Sequence, residues 1–205
     1  MTTQQERALI EQQLRSGKVG IVPRMQGVEV RDVDDKGRRL FGRAVPYDVE
    51  IDLGWYVESV APGVFAKSIR ESAKDLPLLL FHDSGSLDTI IGRVERWEDG
   101  RKGLDGVWLF DDDAESQRAA DKAASGSLGF MSVSFIPKSG EAGSVMTWDD
   151  EDVLHVRRIE ARLLETSLTP TPAYNQAAVS KVRSRPQLGT PRLERWSQWL
   201  ASARA

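Results

Sequence analysis

The chain has 205 residues, 40% of them hydrophobic, and a formal net charge of −3, which suits one compact domain with short appendages. No stretch gathers Lys and Arg onto one face and no apolar run approaches the ~20 residues of a membrane span, so neither nucleic acid nor membrane is an expected partner. Cysteine is absent, which removes disulfides, zinc–cysteine sites and a thiol nucleophile, and leaves hydroxyl or carboxylate chemistry for an enzyme.

Residues 3–16 read as a helix: Thr3 and Glu6 form a capping box, Ile10 and Leu14 share a narrow apolar face, and Gly17 is a natural stop. From Met25 the pattern turns to period two, with Val28, Val30 and Val33, then Leu40, Phe41, Ala44 and Val45, on two strands joined by Asp34-Asp35-Lys36-Gly37. Another strand, Trp55–Val60, precedes Phe65, Ala66, Ile69 and Ala73 at helical spacing. Leu76–Phe81 is a short apolar strand ending in His82-Asp83, and Ile90–Trp97 and Leu104–Phe110 alternate as strands. Residues 113–125 form an alanine-rich helix opened by Asp113. A strand at Phe130–Ile136, a hairpin near Gly140–Gly143 and one long strand reaching Leu168 follow, until Pro170, Pro172 and Asn175 break the pattern. Ser184–Pro191 reads as a linker, and Leu193, Trp196, Trp199 and Leu200 line one side of a short helix.

The tally is seven or eight strands and two or three intervening helices, an α+β chain whose closely spaced strands form a mostly antiparallel sheet, closed into a barrel with helices outside. The expected organisation is an N-terminal helical extension over 1–24, a main domain over 25–183, and a linker with an amphipathic helix over 184–205.

Only two histidines, His82 and His155, are available for imidazole chemistry. His82 leaves a buried strand at the start of a polar loop, which suits a general base held on one side and open on the other. An ordinary strand-end histidine bonded to backbone would read the same way. In Gly129–Phe135 a strand would put Ser132 and Ser134 on one face and Met131, Val133 and Phe135 on the other. The two hydroxyls then need partners or water, in a reactive cleft or on a plain solvent-facing strand. Glu165 lies in the apolar run Leu163–Leu168, where a buried carboxylate would seek a donor such as a histidine N–H, or alternation would point it to solvent with Ser167. No nucleophile elbow, His-Glu-x-x-His or phosphate-binding Gly-rich loop occurs. Asp111-Asp112-Asp113 lacks the spacing of a calcium loop and reads as the acidic start of a helix.

Five segments in order resemble the prohead protease family of tailed phages. They are Gly42-Arg43-Ala44-Val45-Pro46-Tyr47, Glu58 with Pro62-Gly63-Val64-Phe65, Leu78–Asp83 with Ile91-Gly92-Arg93-Val94, Gly129–Phe135, and Leu164–Ala173. The resemblance runs from about Gly42 to Ala178. It implies an assemblin-like fold shared with herpesvirus capsid proteases, with Ser132 as nucleophile, His82 as base and Glu165 as third member. His155 rivals Glu165, because that position resembles a second histidine in the herpesvirus relatives. One departure is Ser134, where the family often has Gly. No cofactor or metal is implied. The implied substrates are the scaffold, or a scaffolding segment of the major capsid protein, and the chain itself near Ser184–Pro191. The implied setting is the interior of a procapsid in the host cytoplasm, with a weak homodimer by analogy to the herpesvirus enzymes. A capsid-assembly protein that keeps the fold but no longer cuts is the alternative.

Overall fold

The computed structural model describes residues 3–16, 23–33, 39–54, 56–73 and 75–170. Among them seven strands close into a barrel: β1 (Pro23–Val33), β2 (Arg39–Pro46), β5 (Pro77–Leu80), β6 (Ile90–Asp99), β7 (Gly103–Phe110), β8 (Phe130–Pro137) and β11 (Ala161–Thr169). Their order is β1-β2-β7-β6-β5-β11-β8, and β8 pairs back with β1. All neighbours are antiparallel except β5 and β11, which run parallel. Closure leaves these strands no exposed edge.

A second, four-stranded sheet holds β3 (Ile51–Asp52), β4 (Val57–Val60), β10 (Leu154–Arg158) and β9 (Ser144–Trp148), in that order. It corrects two expectations. The single long strand reaching Leu168 is three strands, β9, β10 and β11. The acidic stretch 149–152 breaks it: the Asp149 carboxylate accepts from the Glu151 and Val153 N–H groups, and Asp152 takes φ 63°. The glycines at 140–143 do not join a hairpin but carry the chain from barrel to second sheet. There Gly140 has φ +79°, and a Cβ on Gly143 would lie 1.7 Å from the Lys138 carbonyl oxygen.

Helix α1 (Gln4–Arg15) has its capping box, with the Glu6 carboxylate accepting from the Thr3 N–H at 2.8 Å and Thr3 Oγ1 from the Glu6 N–H at 3.3 Å. Its narrow face has a defined partner: Ile10 and Leu14 pack on Tyr56, Leu154 and Val156 of the second sheet. Helix α2 (Ala66–Glu71) and helix α3 (Ala114–Ala124, capped by Asp113) pack on the main core. In that core Phe65 meets Phe135 edge-on at 5.4 Å and Trp97 meets Trp108 at 5.7 Å. A buried ion pair ties the second sheet together. Arg158 Nε donates to Glu58 Oε1 at 2.7 Å, and its other nitrogens donate to Ser144 Oγ and Tyr56 Oη. The linker and the helix expected at Leu193, Trp196, Trp199 and Leu200 lie outside the described residues. Among those described, no helix is long and apolar enough to cross a membrane.

Candidate active site

Three adjacent barrel strands, β5, β11 and β8, bring their chemistry to one end. Because β5 and β11 are parallel, Leu79 sits beside Ser167, and the antiparallel β8 sets Ser132 opposite Ser167. Alternation on β8 gives Met131, Val133 and Phe135 to the core and Ser132 and Ser134 to the other face. That face is not solvent-facing: Ser132 is fully buried and Ser134 nearly so.

A bulge on β11 sets the fate of Glu165. Leu163 pairs with Phe135 on the core face, and strict alternation would return residue 165 to that face. The register shifts between Leu163 and Glu165, so Glu165 pairs with Ser134 and Ser167 with Ser132. Leu168 goes back to the core. One extra residue therefore moves a carboxylate from an apolar core to a polar face, as bulges do beside functional sites.

His82 is aimed by a tight turn. Leu80 accepts from the Asp83 N–H at 3.0 Å, and the two central residues, Phe81 and His82, have φ 57° and 61°. Left-handed conformation at two consecutive non-glycine residues costs energy that the surroundings must offset. Here the Phe81 N–H donates to the Leu168 carbonyl and the His82 N–H to Ser167 Oγ at 3.1 Å.

The side chains then form a chain of hydrogen bonds. His82 Nε2 lies 2.7 Å from Ser132 Oγ, and Nδ1 lies 2.6 Å from Glu165 Oε1. Ser167 Oγ donates to the other carboxylate oxygen, Oε2, at 2.7 Å. Ser134 Oγ stands 3.2 Å from Nδ1, a second and longer contact on the same nitrogen. The ring is 7% exposed. A carboxylate accepts only, so Nδ1 carries a proton toward Glu165; in the neutral ring Nε2 is then the acceptor for the Ser132 hydroxyl. The arrangement can therefore remove a proton from Ser132 and stabilise the imidazolium that results.

His155 is elsewhere. It lies on β10 of the second sheet, with Nδ1 3.2 Å from Glu50 and Nε2 3.3 Å from Asp149. Burial pulls the Asp149 carboxyl upward, but the Val153 N–H, His155 and the Glu151 N–H outweigh it and hold the group below its usual range. Asp113, from the acidic run, caps α3 by accepting from the Ser116 N–H at 2.8 Å. Among the described residues no cluster of three or more His, Cys, Asp or Glu is placed to hold a metal ion. Sequence reasoning gave Ser167 no role beyond a place beside Glu165; its signal was its two-residue spacing from that carboxylate.

Fold and site together describe a strand-rich α+β protein with a buried serine–histidine–carboxylate cluster. Residues 26–189 match the family described as caudovirus prohead serine protease, and the chain belongs to that family. It is thus a member of a serine protease family, with a role in phage capsid maturation. Among solved structures it is similar to the bacteriophage T4 capsid assembly protease, gp21, at 8% identity and a TM-score of 0.47, covering 73% of this chain and 95% of that one. No curated protein sequence matches it.

Proposed function

We propose that the chain is a serine endopeptidase in which Ser132 is the nucleophile, His82 the general base and acid, and Glu165 the carboxylate that orients the ring. The observation carrying this reading is the continuous relay from Ser132 Oγ to His82 (2.7 Å) and on to Glu165 (2.6 Å). Ser132 Oγ attacks a peptide carbonyl as its proton passes to Nε2. The tetrahedral intermediate collapses, and the same proton leaves on the amine, giving an acyl-enzyme that water hydrolyses with His82 again as base. Glu165 stays ionised and stabilises the imidazolium, helped by the Ser167 hydroxyl on Oε2. Because Ser132 is fully buried, substrate entry requires an opening step before attack.

The substrates in this reading are the scaffold, or a scaffolding segment of the major capsid protein, and the chain itself, cut inside the procapsid within the host cell. The barrel is of the assemblin kind, and the working form is a weak homodimer. The domain limits remain 1–24, 25–183 and 184–205, with self-cleavage near Ser184–Pro191. A serine-directed phosphonate tests the chemistry: it should label the wild-type chain and not Ser132→Ala, and equal labelling of both defeats the assignment. Co-expression with the neighbouring capsid protein tests the setting. A truncated capsid protein that depends on Ser132 is the expected product.

A further inference from the structure

The barrel strands have no exposed edge, but the second sheet ends in two. On one side β3 is only two residues long and finishes in the charged Asp52, whose carboxylate accepts from the Gly54 N–H. On the other side β9 runs for five residues, Ser144-Val145-Met146-Thr147-Trp148, with no charge, no proline and no bulge against β10. Charge, proline, bulges and shortness are what keep a strand edge from pairing with another chain. Of these β9 has only modest length.

The ladder fixes where its backbone groups point. At one end the Asp149 N–H donates to the Val153 carbonyl, and at the other the Ile159 N–H donates to the Gly143 carbonyl, both at 3.0 Å. Hydrogen-bonded pairs alternate along an antiparallel ladder, so Val145 and Thr147 bond β10, while Ser144, Met146 and Trp148 turn their N–H and C=O groups away from it. Among the described residues nothing bonds to these outward groups of Met146 and Trp148. The side chains alternate between the two faces. Met146 and Trp148 pack against the cluster under α1, whereas Val145, 47% exposed, and Thr147 stand on the open face.

We infer that the β9 edge is the surface on which two copies of this chain associate, pairing antiparallel about a two-fold axis at Met146. In that register Met146 meets its own counterpart and Ser144 meets Trp148 of the second copy, all three pairs being placed to exchange backbone hydrogen bonds. Val145 falls opposite Thr147 of the second copy, a β-branched pair that covers the exposed valine. The strand carries no charge that would select a different protein, and its outward groups complement themselves. Five residues a side is well short of the roughly 20–30 of a stable interface, so the pair is weak and forms at high protein concentration. The inference deepens the homodimer reading above by giving it a surface, and that surface includes no residue of the relay.

The test uses the full chain carrying Ser132→Ala, so that no cutting intervenes, and exploits the absence of native cysteine. In the proposed register Val145 and Thr147 of the two copies are non-hydrogen-bonded partners about 4.5 Å apart at Cα, within disulfide reach. Val145 faces its own counterpart only diagonally, at about 7–8 Å, as does Thr147, which is out of reach. Mild oxidation of an equimolar mixture of Val145→Cys and Thr147→Cys chains should therefore give far more disulfide dimer than either chain gives alone. A mixture that cross-links no better than the single chains overturns the pairing. Sedimentation equilibrium supplies the second arm. Val145→Glu/Thr147→Lys sets opposite charges across the axis and Val145→Lys/Thr147→Lys sets like charges, so the first should associate about tenfold more tightly than the second. Both changes lie on the open face and leave the core untouched. Equal association of the two rejects the edge. If either arm fails while the wild-type mass still rises with concentration, the homodimer stands on another face. A chain that stays monomeric at every concentration removes the edge and the dimer together, and phosphonate labelling at Ser132 reports on the protease reading independently of both.

Discussion

Glu165→Gln is the sharpest probe of the relay, because the side chain keeps its shape and changes only where protons can sit. The Ser167 hydroxyl accepts from the His82 N–H at 3.1 Å and gives its own proton to Glu165 Oε2 at 2.7 Å. A glutamine must therefore place its carbonyl oxygen at the Oε2 site and its NH2 at the Oε1 site, 2.6 Å from Nδ1. Nδ1 becomes an acceptor, the ring proton moves to Nε2, and Nε2 now donates to Ser132 Oγ instead of accepting from it. The wrong tautomer in a serine protease costs about 10⁴ in kcat. Ser134, 3.2 Å from Nδ1, can accept from that nitrogen and soften the loss, so we expect a fall of roughly 10³–10⁴ with little change in folding. Removing Ser167 as well frees the amide to turn over. The double variant Glu165→Gln/Ser167→Ala should label with phosphonate faster than Glu165→Gln alone, even though Ser167→Ala slows the parent enzyme. The assay is the second-order labelling rate of all four proteins, with urea unfolding run beside it. Near-wild-type labelling by Glu165→Gln would falsify the tautomer argument, and so would a double variant slower than the Gln single.

Three further outcomes follow from the fold. A Cβ at Gly92 would lie 2.2 Å from the Leu109 carbonyl oxygen, so Gly92→Ala should lower unfolding free energy by about 2–3 kcal/mol; a loss below about 0.5 kcal/mol in urea titration contradicts the packing. Glu58→Gln leaves the buried Arg158 without its counter-charge and should cost about 3 kcal/mol or more, whereas replacing both residues by apolar ones should cost less. Urea midpoints that show the reverse order would reject that account. The Ser116 N–H holds the Asp113 carboxyl below its usual range, so its stabilisation is present above the unfolded value of about 3.9 and lost as pH falls through the lower folded value. Asparagine caps as well as aspartate, so Asp113→Asn should trail wild type by a few tenths of a kcal/mol near pH 7, solvent screening included, and match it once the pH has fallen below the folded value. A gap that persists in acid sinks this argument.

Local pattern made much of this legible. The capping box at Thr3 and Glu6, the Asp113 cap and the strands at Leu104–Phe110 and Phe130–Ile136 are read within one turn or one strand, and the structure has each of them. The second sheet was not legible. Its strands are short, and β4, although read as a strand of its own at Trp55–Val60, pairs in parallel with β10 across about a hundred residues of chain, while β9 and β10 read from sequence as one run with β11. The burial of Ser132 and Glu165 was also hidden. A serine-bearing face looks solvated from sequence, and only the strands beside it reveal that His82, Ser134 and Ser167 cover it.

The site depends on two departures from regular backbone, and both act on direction more than on proximity. Adjacent strands lie about 4.8 Å apart, so β5, β11 and β8 would bring their residues close whatever their register. Proximity alone gives no relay, because on unbroken strands residue 165 would enter the core with Leu163. The bulge sends Glu165 to the serine face, and the left-handed pair at Phe81 and His82 turns the chain so that the ring lies between Glu165 and Ser132. Ser167 links the two devices, since its hydroxyl takes the backbone N–H of the turn and holds the carboxylate delivered by the bulge. The strain of the turn and the aim of the carboxylate are therefore set through one buried side chain.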